Sequence, residues 1–172
     1  MAEERLFTRD QLFEEIDGRW DELNGALDAL TAEQLSGPRD AAGWSVTDHI
    51  NHMAAWDEWA TALLQGRPGW EGLGISETLY KEGDEDTTNA AIRENLAGRT
   101  PAEARAALGA AHAQLMALTR PMDDPALAAP YRPRTADDDP ARTIPPVSNV
   151  LYGTTAEHYA EHLGWLRAQA GE

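Results

Sequence analysis

At 172 residues the chain has room for one domain with a buried core, and two domains are not expected. Asp and Glu total 30 against 14 Lys and Arg, a net charge of −16 with no basic run to neutralise phosphates, so nucleic acid is not an expected partner and an anionic lipid surface is repelled. Cysteine is absent, which excludes disulfides, thiolate nucleophiles and thiolate ligands, and leaves His, Asp and Glu as the means of holding a metal.

The charged start Met1-Ala2-Glu3-Glu4-Arg5 leads into no long apolar run, and no later stretch has membrane-spanning length, so a cytoplasmic chain is expected. Leu12, Ile16, Trp20, Leu23, Leu27 and Leu30 recur at spacings of three and four, predicting a first amphipathic helix capped by Thr8. Thr31-Ala32-Glu33-Gln34 has a capping-box pattern and Gly37-Pro38 a stop, which predicts a short extra turn before a loop over 39–43. Ser45 or Thr47 caps a second helix whose wide apolar face carries Ile50, Met53, Ala54, Trp56, Ala60, Leu63 and Leu64, ended by Gly66 and Pro68.

The segment 69–98 reads as a long irregular connection in which helical spacing returns only around 87–96. Thr100-Pro101-Ala102-Glu103 then opens a third helix through Leu108, Leu115, Met116 and Leu118, stopping before Pro121. Recurrent proline and the run Asp137-Asp138-Asp139 mark 121–146 as a long surface loop. A last helix from Val147 or Ser148 places Leu151, Thr155, His158, His162 and Trp165 on one stripe. The fold class is therefore all-α, a single four-helix bundle with long connecting loops.

The chemistry lies in the histidines. His158 and His162 are four residues apart, one turn up the same helix face, where two imidazoles reach one ion. On the second helix His52 shares an apolar face with Trp56 and Trp59. A buried imidazole without a partner costs on the order of one to several kcal/mol, and a divalent ion among three inward imidazoles would satisfy them together. At this level His49, about 60° from His52 around the helix, is an alternative third ligand, while mid-helix His112 reads as structural.

Several runs together resemble the DinB-like four-helix-bundle superfamily, and within it the ClbS/DfsB branch. They are Trp44-Ser45-Val46 with His52 eight residues beyond the tryptophan, Ala55-Trp56, and Thr155-Ala156-Glu157-His158-Tyr159-Ala160-Glu161-His162-Leu163. Thr8-Arg9-Asp10-Gln11-Leu12 and His112-Ala113-Gln114-Leu115 extend the similarity to nearly the whole chain, 6–166. The resemblance implies an up-up-down-down-like bundle with His52, His158 and His162 as ligands to a divalent metal, zinc or nickel first and iron as a further choice, and leaves His49 behind the ligands. It also implies chemistry on a small reactive electrophile, by hydrolysis or thiol addition. The branch includes a self-resistance protein that hydrolyses the cyclopropane of a bacterial genotoxin.

On this reading Glu161 and Asp48 are candidates for the general base or for orienting an imidazole, and Trp56, Trp59, Trp70 and Tyr80 are candidates for the substrate wall. The expected partner is a small molecule, and pairing into a homodimer is left open. The alternative function is capture of an aromatic ligand without turnover.

Overall fold

The computed structural model describes residues 7–37, 39–134 and 141–170, with side chains to Arg167; the expectations on Met1-Ala2-Glu3-Glu4-Arg5, Pro38 and Asp137-Asp138-Asp139 fall outside these residues. Four long helical segments form the bundle: α1 (Arg9–Asp28), α3 (Val46–Leu64), α7 (Pro101–Thr119) and a last segment built of α9 (Val147–Tyr152), a π-helical turn (Gly153–Glu157) and α10 (His158–Ala170). Among the described residues there is no strand, only one isolated bridge between Pro130 and Pro146. No helix among them is long and apolar enough to cross a membrane.

The helix starts follow the capping chemistry in the sequence. Thr8, Thr31, Ser45 and Thr100 each accept from the backbone N–H three residues on, while Gln11, Gln34, Asp48 and Glu103 reach back to complete the box. Each such cap contributes about 1 kcal/mol. Ser45, rather than Thr47, is the cap of α3; the Thr47 hydroxyl instead donates to the Leu35 carbonyl at 2.8 Å and ties the short helix α2 (Ala32–Ser36) to α3.

The connection 69–98 is helical for most of its length, in contrast to the irregular segment its composition suggests. It forms α4 (Gly69–Leu73), α5 (Glu77–Glu82) and α6 (Glu85–Leu96), the last of which covers the predicted helical spacing. Helix α4 lies backbone-on-backbone against α3: a Cβ on Gly72 would stand 2.5 Å from the Glu58 carbonyl oxygen and 2.6 Å from Trp59 Cα. Only glycine permits that approach. The loop after α7 likewise contains a short helix, α8 (Asp124–Ala128).

Helix α3 packs against α7 and α1 against the last segment, which also meets α3. The buried apolar side chains fall into two lobes. One gathers Leu23, Leu27, Ile50, Met53, Leu108 and Leu163, and the other Leu12, Phe13, Ile16, Leu115, Val150 and Leu151. Between them lies a buried polar layer contributed by α3, α7 and α10. Fully buried Asp57 accepts a hydrogen bond from the Tyr159 hydroxyl, whose oxygen is 3.1 Å from His112 Nδ1. Trp20 of α1 stacks flat on the His112 ring at 3.8 Å between centroids. His112 thus has the structural place expected of it.

Burial drives the Asp57 carboxyl well above the ordinary carboxylate range, against the opposing effect of its Tyr159 hydrogen bond. The folded state therefore binds this proton more tightly than the unfolded chain, and the contribution of Asp57 to stability falls as pH rises from about 3.8 through its folded value. The slope for one proton is about 1.4 kcal/mol per pH unit. Asp57→Asn keeps an acceptor for Tyr159 and cannot ionise. In urea unfolding, the stability of this variant relative to wild type is expected to climb as pH rises above about 4; a difference that stays constant with pH would mean that burial does not raise the Asp57 carboxyl in the folded protein.

Candidate metal centre

The second and last helical segments bring the three histidines together. His52 Nε2 stands 3.0 Å from His158 Nε2, which stands 3.0 Å from His162 Nε2. One nitrogen from each ring lies within 4.8 Å of the others, so His52, His158 and His162 could together hold a metal ion. Three nitrogens about 2.0–2.1 Å from a tetrahedral zinc stand roughly 3.3 Å apart, close to the observed spacing.

A π turn sets the direction of the last two rings. At Gly153–Glu157 the helix widens, and the hydroxyls of Thr154 and Thr155 donate to the carbonyls of Val150 and Leu151, at 2.9 Å and 2.6 Å. Such turns carry one residue more than an α turn and rotate everything beyond them relative to everything before. Val147, Val150 and Leu151 consequently pack in the apolar core while His158 and His162, farther on, look into a cavity. The stripe expected from α periodicity alone does not include this offset. Its signal in the sequence is Gly153-Thr154-Thr155, three poor helix formers in succession, two of which can bond back to carbonyls.

His49 is not one of the convergent nitrogens. It stands behind them, with Nδ1 at 2.9 Å from His162 Nδ1 and Nε2 at 3.0 Å from Asp40 Oδ2. Both side chains are buried, at 5% and 7% exposure. The loop 39–43 is built to present Asp40: Trp44 N–H donates to its Oδ1 at 2.8 Å, and Gly43, at φ +82°, turns the chain through the left-handed region so that its own N–H reaches the Asp40 carbonyl at 2.9 Å. Nothing in the sequence marks Asp40, because a loop residue has no periodicity to betray its direction.

The proton positions follow from this chain. Burial raises the Asp40 carboxyl, but the Trp44 N–H and His49 together hold it below the usual carboxylate value, so it is an acceptor. His49 must then carry its proton on Nε2. Burial, outweighing Asp40, lowers the His49 pKa, so the ring is neutral and its Nδ1 lone pair accepts from His162 Nδ1–H. That leaves the His162 Nε2 lone pair aimed at His158.

Burial also lowers the other rings, His52 to about 3 and His158 to about 4, with His162 well below its ordinary value. The Thr154 carbonyl raises His158 partway back, although its Nδ1, like that of His52, lacks a full hydrogen bond. Neutral rings are what a metal needs. A single N–H on His158 satisfies one neighbouring lone pair, whereas one cation satisfies all three nitrogens at once. The residues present therefore fit a divalent ion.

The triad forms part of the floor of a cavity of about 730 Å³. Trp44, Trp56, Trp59 and Trp165 line it, along with Glu161. Of the residues considered for the substrate wall, Trp56 and Trp59 are in this lining and Trp70 and Tyr80 are not: Tyr80 accepts from Trp59 Nε1 at 3.1 Å, bracing that wall from behind, and Trp70 packs on Tyr80. Asp48 is also placed elsewhere. Its carboxylate closes the N-terminus of α3, accepting from Ser45 N and Oγ at 2.8 Å and 2.9 Å, and pairs with Arg39 and Arg93. Trp44 and Trp165 are wall residues that the sequence reading did not select for that role.

The DinB superfamily profile matches residues 15–166, and the chain belongs to that family. No curated protein matches it in sequence. Among solved structures it is similar to an uncharacterised protein from Escherichia coli UTI89, at 19% identity and a TM-score of 0.73 over 95% of this chain and 93% of that one. The colibactin self-resistance protein ClbS in complex with a dsDNA gives 18% identity and 0.68 over 96% of both chains, and DfsB, a sibling lethal factor precursor, 13% and 0.75 over 97% of both. At these identities the likeness is one of fold.

Asp40→Asn keeps the acceptor for Trp44 N–H but removes the negative charge behind His49. Zinc affinity, measured by competition with a chromophoric chelator, is expected to fall about 10–100-fold with the fold intact by circular dichroism. Unchanged affinity would show that the Asp40 charge does not reach the ligands.

Proposed function

We propose that this DinB-superfamily chain is a metal-dependent enzyme that consumes a small reactive electrophile, by hydrolysis or thiol addition, in the cavity above His52, His158 and His162. The observation that carries this reading is the convergence of three neutral imidazoles on the cavity floor, with a buried carboxylate that acts through His49 to fix the tautomer of His162. Zinc or nickel suits an all-imidazole set, and iron is the next choice. When bound, the ion supplies a Lewis acid that activates a water or thiol nucleophile at neutral pH or polarises the electrophile.

The chain's own residues supply the rest. The tryptophan walls hold an apolar or aromatic body and exclude water from its faces. To Glu161, exposed in the cavity lining, we assign the role of accepting the proton released by the nucleophile, a reading supported by its presence in that lining. Asp40 and His49 keep the His162 proton on Nδ1, away from the reacting side. Protection of the cell against its own toxic product is the leading form of this reading. It is supported by the fold shared with ClbS, whose own activity is not transferred at 18% identity. The dsDNA in that complex belongs to ClbS; a net charge of −16 argues against the same partner here.

Capture without turnover is the second reading, favoured by the four indole rings in the lining. Elemental analysis of purified protein is expected to find about one transition-metal ion per chain, lost in His158→Ala. The wild type should turn over a panel of epoxides and activated cyclopropanes many times per chain, with activity falling in the variant to that of chelator-treated wild type. Activity that survives in metal-free protein or in His158→Ala would end the metal reading. Protection that saturates at one equivalent, with intact compound recovered on denaturation, would establish capture.

A further inference from the structure

The polar groups of the cavity specify the charge of its ligand. Five charged side chains line it: Asp40, Glu85, Asp86, Glu161 and Arg93. Two of these are already engaged. Asp40 is bonded to His49, and the Arg93 guanidinium donates to the Gly43 carbonyl at 2.6 Å, stands 3.5 Å from Asp48 Oδ2 and lies over the Trp44 ring at 5.6 Å. The remaining charge in the lining is that of Glu85 and Asp86 on α6 and Glu161 on α10, all three exposed.

Glu85 and Asp86 also complement the dipole of α6, which accounts for acids in its first turn. It does not account for two other groups in the lining. Asn89, one turn farther along α6, is partly buried, and its Oδ1 is buried without a hydrogen-bond partner among the described protein groups. Trp165 keeps 47% of its surface exposed, and it is the exposed large hydrophobic side chain among the described residues. A half-exposed indole, one unpaired acceptor and three exposed carboxylates in a single lining are groups that a cation can engage, by the ring face and by its N–H groups.

We infer that the cavity selects a cationic ligand, an amine or amidine carried on an apolar or aromatic body, with the positive end toward Glu85 and Asp86 and the body among the tryptophans. This rests on the proposed function for the site and names the class of its electrophile.

Benzylammonium, benzyl alcohol and benzenesulfonate are probes of similar size with positive, no and negative charge, and the ammonium carries the N–H donors that Asn89 Oδ1 and the carboxylates would accept. In calorimetric titrations at low salt, the ammonium is expected to bind about tenfold more tightly than the alcohol, and the sulfonate most weakly. In Glu85→Gln/Asp86→Asn, which leaves the histidines and Glu161 untouched, that ratio should drop to about threefold or less. Equal binding of ammonium and alcohol, a ratio unmoved by the double variant, or no binding of the ammonium would each overturn the inference. Metal content measured on the same samples separates the two claims: a charge preference in protein that holds no metal refutes the catalytic reading alone, and metal-loaded protein without a charge preference refutes the inference alone.

Discussion

Everything at this site depends on the placing of one proton. The buried Asp40 carboxylate requires His49 to carry its hydrogen on Nε2, His49 in turn requires His162 to carry its own on Nδ1, and the lone pair of His162 is thereby turned to where His52 and His158 also converge. Burial keeps the rings neutral, so this arrangement holds near neutral pH without competing protonation. Asp40 is the group that fixes this order, although it touches none of the three nitrogens that would hold a metal.

The surrounding fold can be understood as support for that placement. The π turn in the last helix lets one segment pack an apolar face against the core and still direct two imidazoles into the cavity. Gly72 allows α4 to lie on the backbone of α3, and Tyr80 braces Trp59 through its indole N–H. Deeper in the bundle, a polar layer of Asp57, Tyr159 and His112 joins the helices that carry the site. Tyr159 adjoins His158 in sequence, so anchoring its hydroxyl to Asp57 also fixes the turn from which a candidate ligand projects.

Much of this was legible in the sequence. The capping residues Thr8 and Thr100 mark the starts of α1 and α7, and the spacing of Leu12, Ile16, Leu23 and Leu27 identifies a buried face. His158 and His162 could be paired because a separation of four has one meaning on a helix, whereas the apolar neighbours of His52 left His49 as an alternative and the family resemblance chose between them. What stayed hidden lacks a period. Asp40 is in a loop; the π turn is a break in the period itself; α4 and α5 are too short to display two turns of pattern, so their glycines and polar residues read as connection. Asp48 drew attention as a carboxylate near histidines, but its place in the capping box was equally readable and is the role the structure shows.

X-ray absorption at the metal edge of the purified, metal-loaded protein tests the central claim most directly. A first shell of three imidazole nitrogens, about 2.0–2.1 Å from the ion if it is zinc, is the expected result, reduced to two in His158→Ala. A shell of oxygen alone, or one unaltered by that substitution, would show that the three convergent histidines do not form the metal centre.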